Sequence, residues 1–368
     1  MFKSRLEKLR ASLEIAGLDA VVLNPGPTLT YLTGIHFHLM ERPVVLMLAS
    51  AAEPALVLPE LEMAKVKEIP YAVTAFPYGE DPAGWDAVFQ RAAQRLGLDG
   101  KRIGVEPRQM RLLEFWRVRV GAPEADYLDA SLTLGSLRLR KDPAEVEAMR
   151  SAVRLAQSAL EDVLPKIKIG MSEKELAAEL VMQLLQNGSE PEFPFAPIVS
   201  SGPNSANPHA SPTDRSVQAG DLLLFDWGAT ADGYISDLTR TFAVGQVEPE
   251  LMKIHKIVQE ANAAGRAAAK PGATCASVDA AARAVIERAG YGQYFTHRTG
   301  HGIGMEAHED PYIRGDNMQV LEAGMAFTVE PGIYLPGRNG VRIEDNIVIS
   351  RDGADVLSDM SRDLAVVG

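Results

Sequence analysis

Apolar positions recur at helical spacing at the start of the chain. Leu6, Leu9, Leu13 and Ile15–Ala16 predict an amphipathic helix over 2–17, ended by Gly17. Ala20–Leu23 is a short apolar run that predicts a strand, and Pro25–Gly26–Pro27 predicts a turn. Tyr31–Gly34 then leads into a loop, IHFHLMERP, that has neither helical nor strand period. Val44–Leu48 and Ala55–Val57 predict a strand hairpin, 85–97 a helix and Arg102–Val105 a further strand. Alternation of this kind predicts an α/β domain. Next comes a long helical pattern opened by Asp142–Pro143, a good N-cap followed by proline at the first helical position. Ser172 with Glu175 forms a capping-box signature for a second helix. Two more helices are predicted near 248–268 and 277–289, with Gly290 as the stop.

The remaining strand-like segments pair naturally into two hairpins. Leu222–Asp226 and Ile235–Ala243 are joined through Ala231–Asp232–Gly233, and Met325–Tyr334 and Val341–Ser350 through Pro336–Gly340. Each hairpin follows two helices, so the order helix–helix–hairpin occurs twice. This suggests a weak internal duplication. The expected division is an N-terminal α/β domain over 1–135 and a second domain over 136–368.

Each hairpin carries two carboxylates within apolar runs: Asp226 (LLLFDWGA) with Asp237 (GYISDLTRTF), and Glu330 (FTVEPGIY) with Glu344 (GVRIEDNIVI). His301 lies between them in TGHGIG, where the glycines allow bending and close backbone approach and argue against a helix. Singly, each acid has a bland explanation. Glu344–Asp345 could be an exposed hairpin edge, and Glu330 before Pro331 a strand end. Together, four carboxylates and an imidazole are too many charged groups for a core unless they bind metal. Oxygen-rich ligation with one imidazole favours Mn²⁺, with Co²⁺, Fe²⁺ or Zn²⁺ as alternatives. Two divalent ions sharing a hydroxide would form a hydrolytic centre. His297 and His301 are four apart but not on a helix, and HExxH is absent.

Composition narrows the class of protein. The 368 residues are 46% hydrophobic and 23% charged, as in ordinary globular proteins. A formal charge of −12 with no basic block argues against a nucleic-acid partner. The single cysteine, Cys275, excludes an intrachain disulfide. Charges at Arg5, Glu7, Lys8 and Arg10 interrupt any signal-peptide core, and no apolar run is long enough to span a bilayer. The expectation is a cytoplasmic protein with no membrane partner.

At these residues the sequence resembles the M24 metallopeptidases: Xaa-Pro dipeptidases (prolidases), aminopeptidases P and methionine aminopeptidases. The resemblance runs over nearly the whole chain. It implies a C-terminal pita-bread fold of α/β class with pseudo-twofold symmetry, preceded by a smaller creatinase-type α/β domain. Methionine aminopeptidases generally lack the latter. The resemblance further implies that Asp226 binds one metal, that His301 with Glu330 binds the other, and that Asp237 and Glu344 bridge both. Glu330 would also shuttle the proton, while His209 and His308 would line the substrate site and hold the scissile carbonyl. His297 and Arg342 match positions behind these, with Arg342 expected to orient a ligand carboxylate. All five ligand positions are filled, which favours an enzyme over the non-catalytic binding modules of the family.

Substrate length is where dipeptidases and aminopeptidases P diverge. A dipeptidase must recognise a carboxylate next to the scissile bond, and arginine suits that task. Archaeal-type prolidases carry an arginine four residues after the second motif histidine; here that residue is Tyr312. Arg314 and Arg42 are the candidate substitutes. Family dimers bring one N-terminal domain to the partner's site, so residues 34–43, with His38 and Arg42, are expected either to cap a partner's cleft or to pack a homodimer. The expected substrates are small proline-containing peptides, with Xaa-Pro dipeptides first and longer peptides as the alternative.

Overall fold

The structure is a computed structural model and describes residues 1–368. The chain forms two compact units, Met1–Arg138 and Leu139–Gly368. The division expected from the sequence lay at 135/136.

In the first unit, α1 (Phe2–Ala16) closes on Gly17 in the left-handed region. A mixed six-stranded sheet follows, built from β1 (Ala20–Leu23), β2 (Val45–Ala49), β3 (Ala55–Pro59), β4 (Thr74–Tyr78), β5 (Arg102–Val105) and β6 (Asp126–Asp129) in the order β4-β3-β2-β1-β5-β6. The helices are α2 (Pro27–Thr33), α3 (Met63–Val66), α4 (Trp85–Leu96), α5 (Leu112–Gly121) and α6 (Ser131–Leu139). Val22, Met47, Val57, Phe89, Ile103 and Val118 form one apolar core between sheet and helices. The turn expected at Pro25–Pro27 is instead the entrance to α2. Proline needs no hydrogen-bond partner for its nitrogen in a first helical turn, and Pro27 takes that place.

The second unit opens with α7 (Pro143–Val163) and α8 (Glu173–Gln186). Both carry complete capping boxes, Asp142 with Glu145 and Ser172 with Glu175. β7 (Ile198–Ser201), β8 (Leu222–Trp227), β9 (Thr230–Ala231), β10 (Tyr234–Ile235) and β11 (Leu238–Val244) follow. Next are α9 (Pro249–Ala268) and α10 (Cys275–Arg288), then β12 (Gly300–Gly302), β13 (Glu309–Ile313), β14 (Ala326–Val329), β15 (Gly332–Tyr334), β16 (Gly340–Arg342), β17 (Asp345–Ile349), β18 (Ala354–Val356) and β19 (Val366–Val367). Two sheets form, β19-β11-β8-β7 and β13-β12-β14-β17-β18, with β9–β10 and β15–β16 as separate ribbons. A bridge between Thr239 and Glu344 ties the two sheets together. Met149, Leu160, Leu180, Phe225 and Trp227 pack α7 and α8 against the first sheet. Val278, Phe327, Val329 and Ile347 pack beneath the second.

The helix–helix–hairpin order occurs twice, but each hairpin is interrupted. Asp237 falls between β10 and β11, Glu330 between β14 and β15, and Glu344 between β16 and β17. At such breaks backbone groups lose their ladder partners and need others. Asn262, wholly buried on α9, donates from Nδ2 to Val329 O (2.9 Å) and Ile343 O (3.3 Å), the carbonyls just before Glu330 and Glu344. Asn346 serves Asp237 in the same way, accepting from its N–H at 3.0 Å and donating to its carbonyl at 2.5 Å.

The bend expected at Gly300–Gly304 is a correction. Gly300–Gly302 is a strand, β12, paired antiparallel on both sides with β13 and β14. Close approach explains the glycines. A Cβ on Gly300 would lie 1.9 Å from Thr328 O, and one on Gly302 would lie 2.2 Å from Asp310 O.

Candidate metal centre

Asp226 projects from β8, His301 from β12, and Asp237, Glu330 and Glu344 from the three strand breaks. These five residues converge. His301 Nε2 lies 3.6 Å from Asp237 Oδ2 and 3.4 Å from Glu330 Oε1. Ligand atoms of Asp237, His301 and Glu344 all lie within 4.8 Å of one another. Asp226 and Asp237 are near enough for each to shift the other's ionisation.

The cluster is electrostatically unbalanced. Burial, then repulsion from neighbouring acids, pushes Asp237 and Glu344 well above the usual carboxylate range. Burial also raises Asp226 against the opposing charge of Arg342, and raises Glu330 to about 7. Asp226 Oδ1 and Glu344 Oε1 are buried without a hydrogen-bond donor from the chain. Buried anionic oxygens of this kind require either protons or cations. The donor set, four carboxylates and one imidazole whose pKa burial drives well down, therefore fits divalent cations.

One network holds the cluster from behind. Arg342 donates from Nη2 to Asp226 Oδ2 (2.5 Å), from Nε to Thr239 Oγ1 (3.0 Å) and from Nη1 to Tyr334 Oη (2.9 Å) and Pro208 O (3.3 Å). The Thr239 hydroxyl donates a hydrogen bond to Glu344 Oε2 at 2.6 Å. Tyr334 donates to His297 Nε2 at 2.8 Å, and His297 Nδ1 donates to Arg298 O at 2.7 Å. His297, expected behind the substrate-lining histidines, has both ring nitrogens engaged in this network. Burial lowers its pKa to about 4, which keeps the ring neutral and the network in one tautomer.

Asp345 anchors the next layer. It is wholly buried, bonded by Arg240 (2.9 Å) and Arg362 (2.7 Å), with Arg266 at 3.4 Å. Arg240 also donates to Glu344 O at 2.7 Å, fixing the backbone of that acid.

The substrate-side candidates are more open. The His308 ring sits 4.0 Å from that of His301, centroid to centroid, and is exposed. His209 is exposed too. Tyr312 is half-buried on β13, while Arg314 points outward and pairs with Asp316 at 2.9 Å. His38 and Arg42 belong to the first unit. Arg42 pairs with Glu41 and Glu80, and His38 packs edge-on against His36.

Several residues of the site were not singled out from the sequence: Thr239, Tyr334, Asn346 and Arg298. The run Glu344–Asp345–Asn346 inside an apolar strand was a signal for Asn346, since strand alternation cannot expose three successive residues on one face. Arg298 carried no comparable signal.

Residues 147–351 match the family model described as metallopeptidase family M24. The chain belongs to family M24. Residues 5–140 of this M24 metallopeptidase match the creatinase/prolidase N-terminal domain. It therefore combines a creatinase-type N-terminal domain with a pita-bread catalytic domain, and it is a metal-dependent peptidase. Among its relatives is an Xaa-Pro dipeptidase of Lactobacillus helveticus, 35% identical over 364 residues that span 98% of each chain. The crystal structure of dipeptidase PepE from Mycobacterium ulcerans superposes with a TM-score of 0.91 at 36% identity, covering 100% of this chain and 98% of that one. A recombinant prolidase from Thermococcus sibiricus gives 0.93 at 33% identity, covering 100% and 99%. No helix of the M24 chain is long and apolar enough to cross a membrane.

Proposed function

We propose that this chain hydrolyses the Xaa-Pro bond of dipeptides. The observation that carries the reading is the convergence of Asp226, Asp237, His301, Glu330 and Glu344 around carboxylate oxygens that lack protein donors. The names of its relatives, Xaa-Pro dipeptidase and prolidase, support the substrate class. In this reading the five residues hold two divalent cations, Mn²⁺ first. When bound, these polarise the scissile carbonyl and lower the pKa of water.

The chain's own residues do the rest. Glu330 takes a proton from the attacking water and returns it to the proline nitrogen as the C–N bond breaks. His308 and His209 donate hydrogen bonds to the carbonyl oxygen as charge develops there. Arg342 and Thr239 keep Asp226 and Glu344 in a single orientation. A homodimer, with residues 34–43 against the partner, is part of the same reading.

The test compares an Xaa-Pro dipeptide with a tripeptide carrying proline second. The expected result is preferential cleavage of the dipeptide. Preference for the tripeptide would point to aminopeptidase P activity, and cleavage of neither, with Mn²⁺ supplied, to a binding module.

A further inference from the structure

We propose that Arg298 is the residue that recognises the free carboxylate of the substrate, a role that rests on the dipeptidase reading above. Its guanidinium lies over the Tyr312 ring at 4.5 Å and donates from Nη2 to His308 Nδ1 at 3.3 Å. His308 in turn lies against His301, so a continuous file of side chains runs from the candidate ligand outward to Arg298. The positive charge of Arg298 acts on both Glu330 and His301.

The other cations near the site are committed elsewhere. Arg342 spends its N–H groups on Asp226, Tyr334, Thr239 and Pro208. Arg283 holds both oxygens of Asp279 and the carbonyls of Phe295 and His297. Arg314 is exposed and pairs with Asp316. Arg298 has no carboxylate partner, and its only hydrogen bond uses one of five N–H groups. A guanidinium stacked on an aromatic ring presents its edge, and that edge can grip a carboxylate with two parallel bonds.

The backbone around Arg298 is well placed to hold this pose. Arg283 binds the carbonyl of the residue before it, and Thr299 after it donates to Asp279 at 2.7 Å. The contact with His308 has a second consequence. Arginine can only donate, so His308 Nδ1 must accept, and the ring proton of neutral His308 lies on Nε2. A carboxylate seated on Arg298 thus sits beside the Nε2 side of the His308 ring.

The experiment uses the full-length protein with Mn²⁺ and measures inhibition constants for proline, which has the carboxylate, and prolinamide, which lacks it. Wild type is expected to bind proline more tightly. In Arg298→Met the proline constant is expected to rise about 10- to 100-fold, the loss expected for a charged hydrogen-bonded pair, with prolinamide unchanged. Arg298→Lys should recover part of the loss, because an ammonium supplies the charge without the fork; it also provides the reading if the Met variant fails to fold. Equal weakening of both inhibitors, no change in either, or no preference in wild type would overturn the proposal. If wild type leaves Xaa-Pro dipeptides uncut, the dipeptidase reading fails, and the inhibitor pair still decides the role of Arg298.

Discussion

Arg342 Nη2 and Asp226 Oδ2 are 2.5 Å apart, both side chains almost fully buried, in a cluster where four carboxylates face this one bonded guanidinium. The pair orients Asp226 with one oxygen toward Arg342 and leaves the other, Oδ1, without a donor. Replacing Arg342 with Met should therefore weaken metal binding about 10- to 100-fold, as loss of outer partners commonly does. Calorimetric titration of the metal-free protein with Mn²⁺ checks this. An unchanged affinity would mean that Asp226 is oriented without Arg342.

Thr239 hydrogen-bonds Glu344 Oε2 at 2.6 Å and receives Arg342 Nε at 3.0 Å. Thr239→Val keeps the shape and removes both bonds. The expected cost is about 1–3 kcal/mol of stability, since buried partners are left unsatisfied. Thr239→Ser should restore most of it. Urea unfolding with metal held constant measures both variants.

Burial raises Glu330 from 4.5 in the unfolded chain to about 7 in the folded one. For a raised pKa, the stabilisation is full below the unfolded value and is lost as pH rises through the folded value. Metal-free protein should lose up to about 3 kcal/mol from this group between pH 4.5 and 7. His255, lowered to about 4 by burial, acts in the opposite sense, so the readout is the difference between wild type and Glu330→Gln. That difference should grow with pH across the window in chelated samples. A constant difference would mean that Glu330 is ionised at the same pH in both states.

Asp345 is held near pKa 2 by Arg240 and Arg362 despite complete burial. Removing one partner of a buried ion pair typically costs about 3–5 kcal/mol. Arg240→Met should cost at least that, because Arg240 also bonds the carbonyls of Thr239, Glu344, Met360 and Ser361. Denaturant melts would report it directly, and a loss below about 1 kcal/mol would mean the arginines are interchangeable around Asp345.

Much of this architecture was legible in the chain. The capping boxes at Asp142 and Ser172 form as expected, because each depends on residues three apart. The carboxylates stood out because a charged side chain in an apolar run violates strand patterning. Residues that act across long sequence separations were hidden. Thr239 reaches Glu344 over 105 positions, and Asn346 reaches Asp237 over 109. Neither has a local pattern, and only the meeting of the two sheets gives each its partner. The glycines of β12 were legible in part, since their close backbone approach was expected but their place in a paired strand was not. What demands them is a carbonyl on each neighbouring strand, at Thr328 and Asp310, rather than a bend in their own backbone.

The central claim is that Asp226, Asp237, His301, Glu330 and Glu344 make a metal-dependent centre for cleaving Xaa-Pro dipeptides. It is tested most directly by turnover of such a dipeptide after chelation, followed by titration with Mn²⁺. The expected result is loss of activity on stripping and its return as Mn²⁺ approaches two ions per chain. Turnover indifferent to stripping, or absent at saturating Mn²⁺, would contradict it.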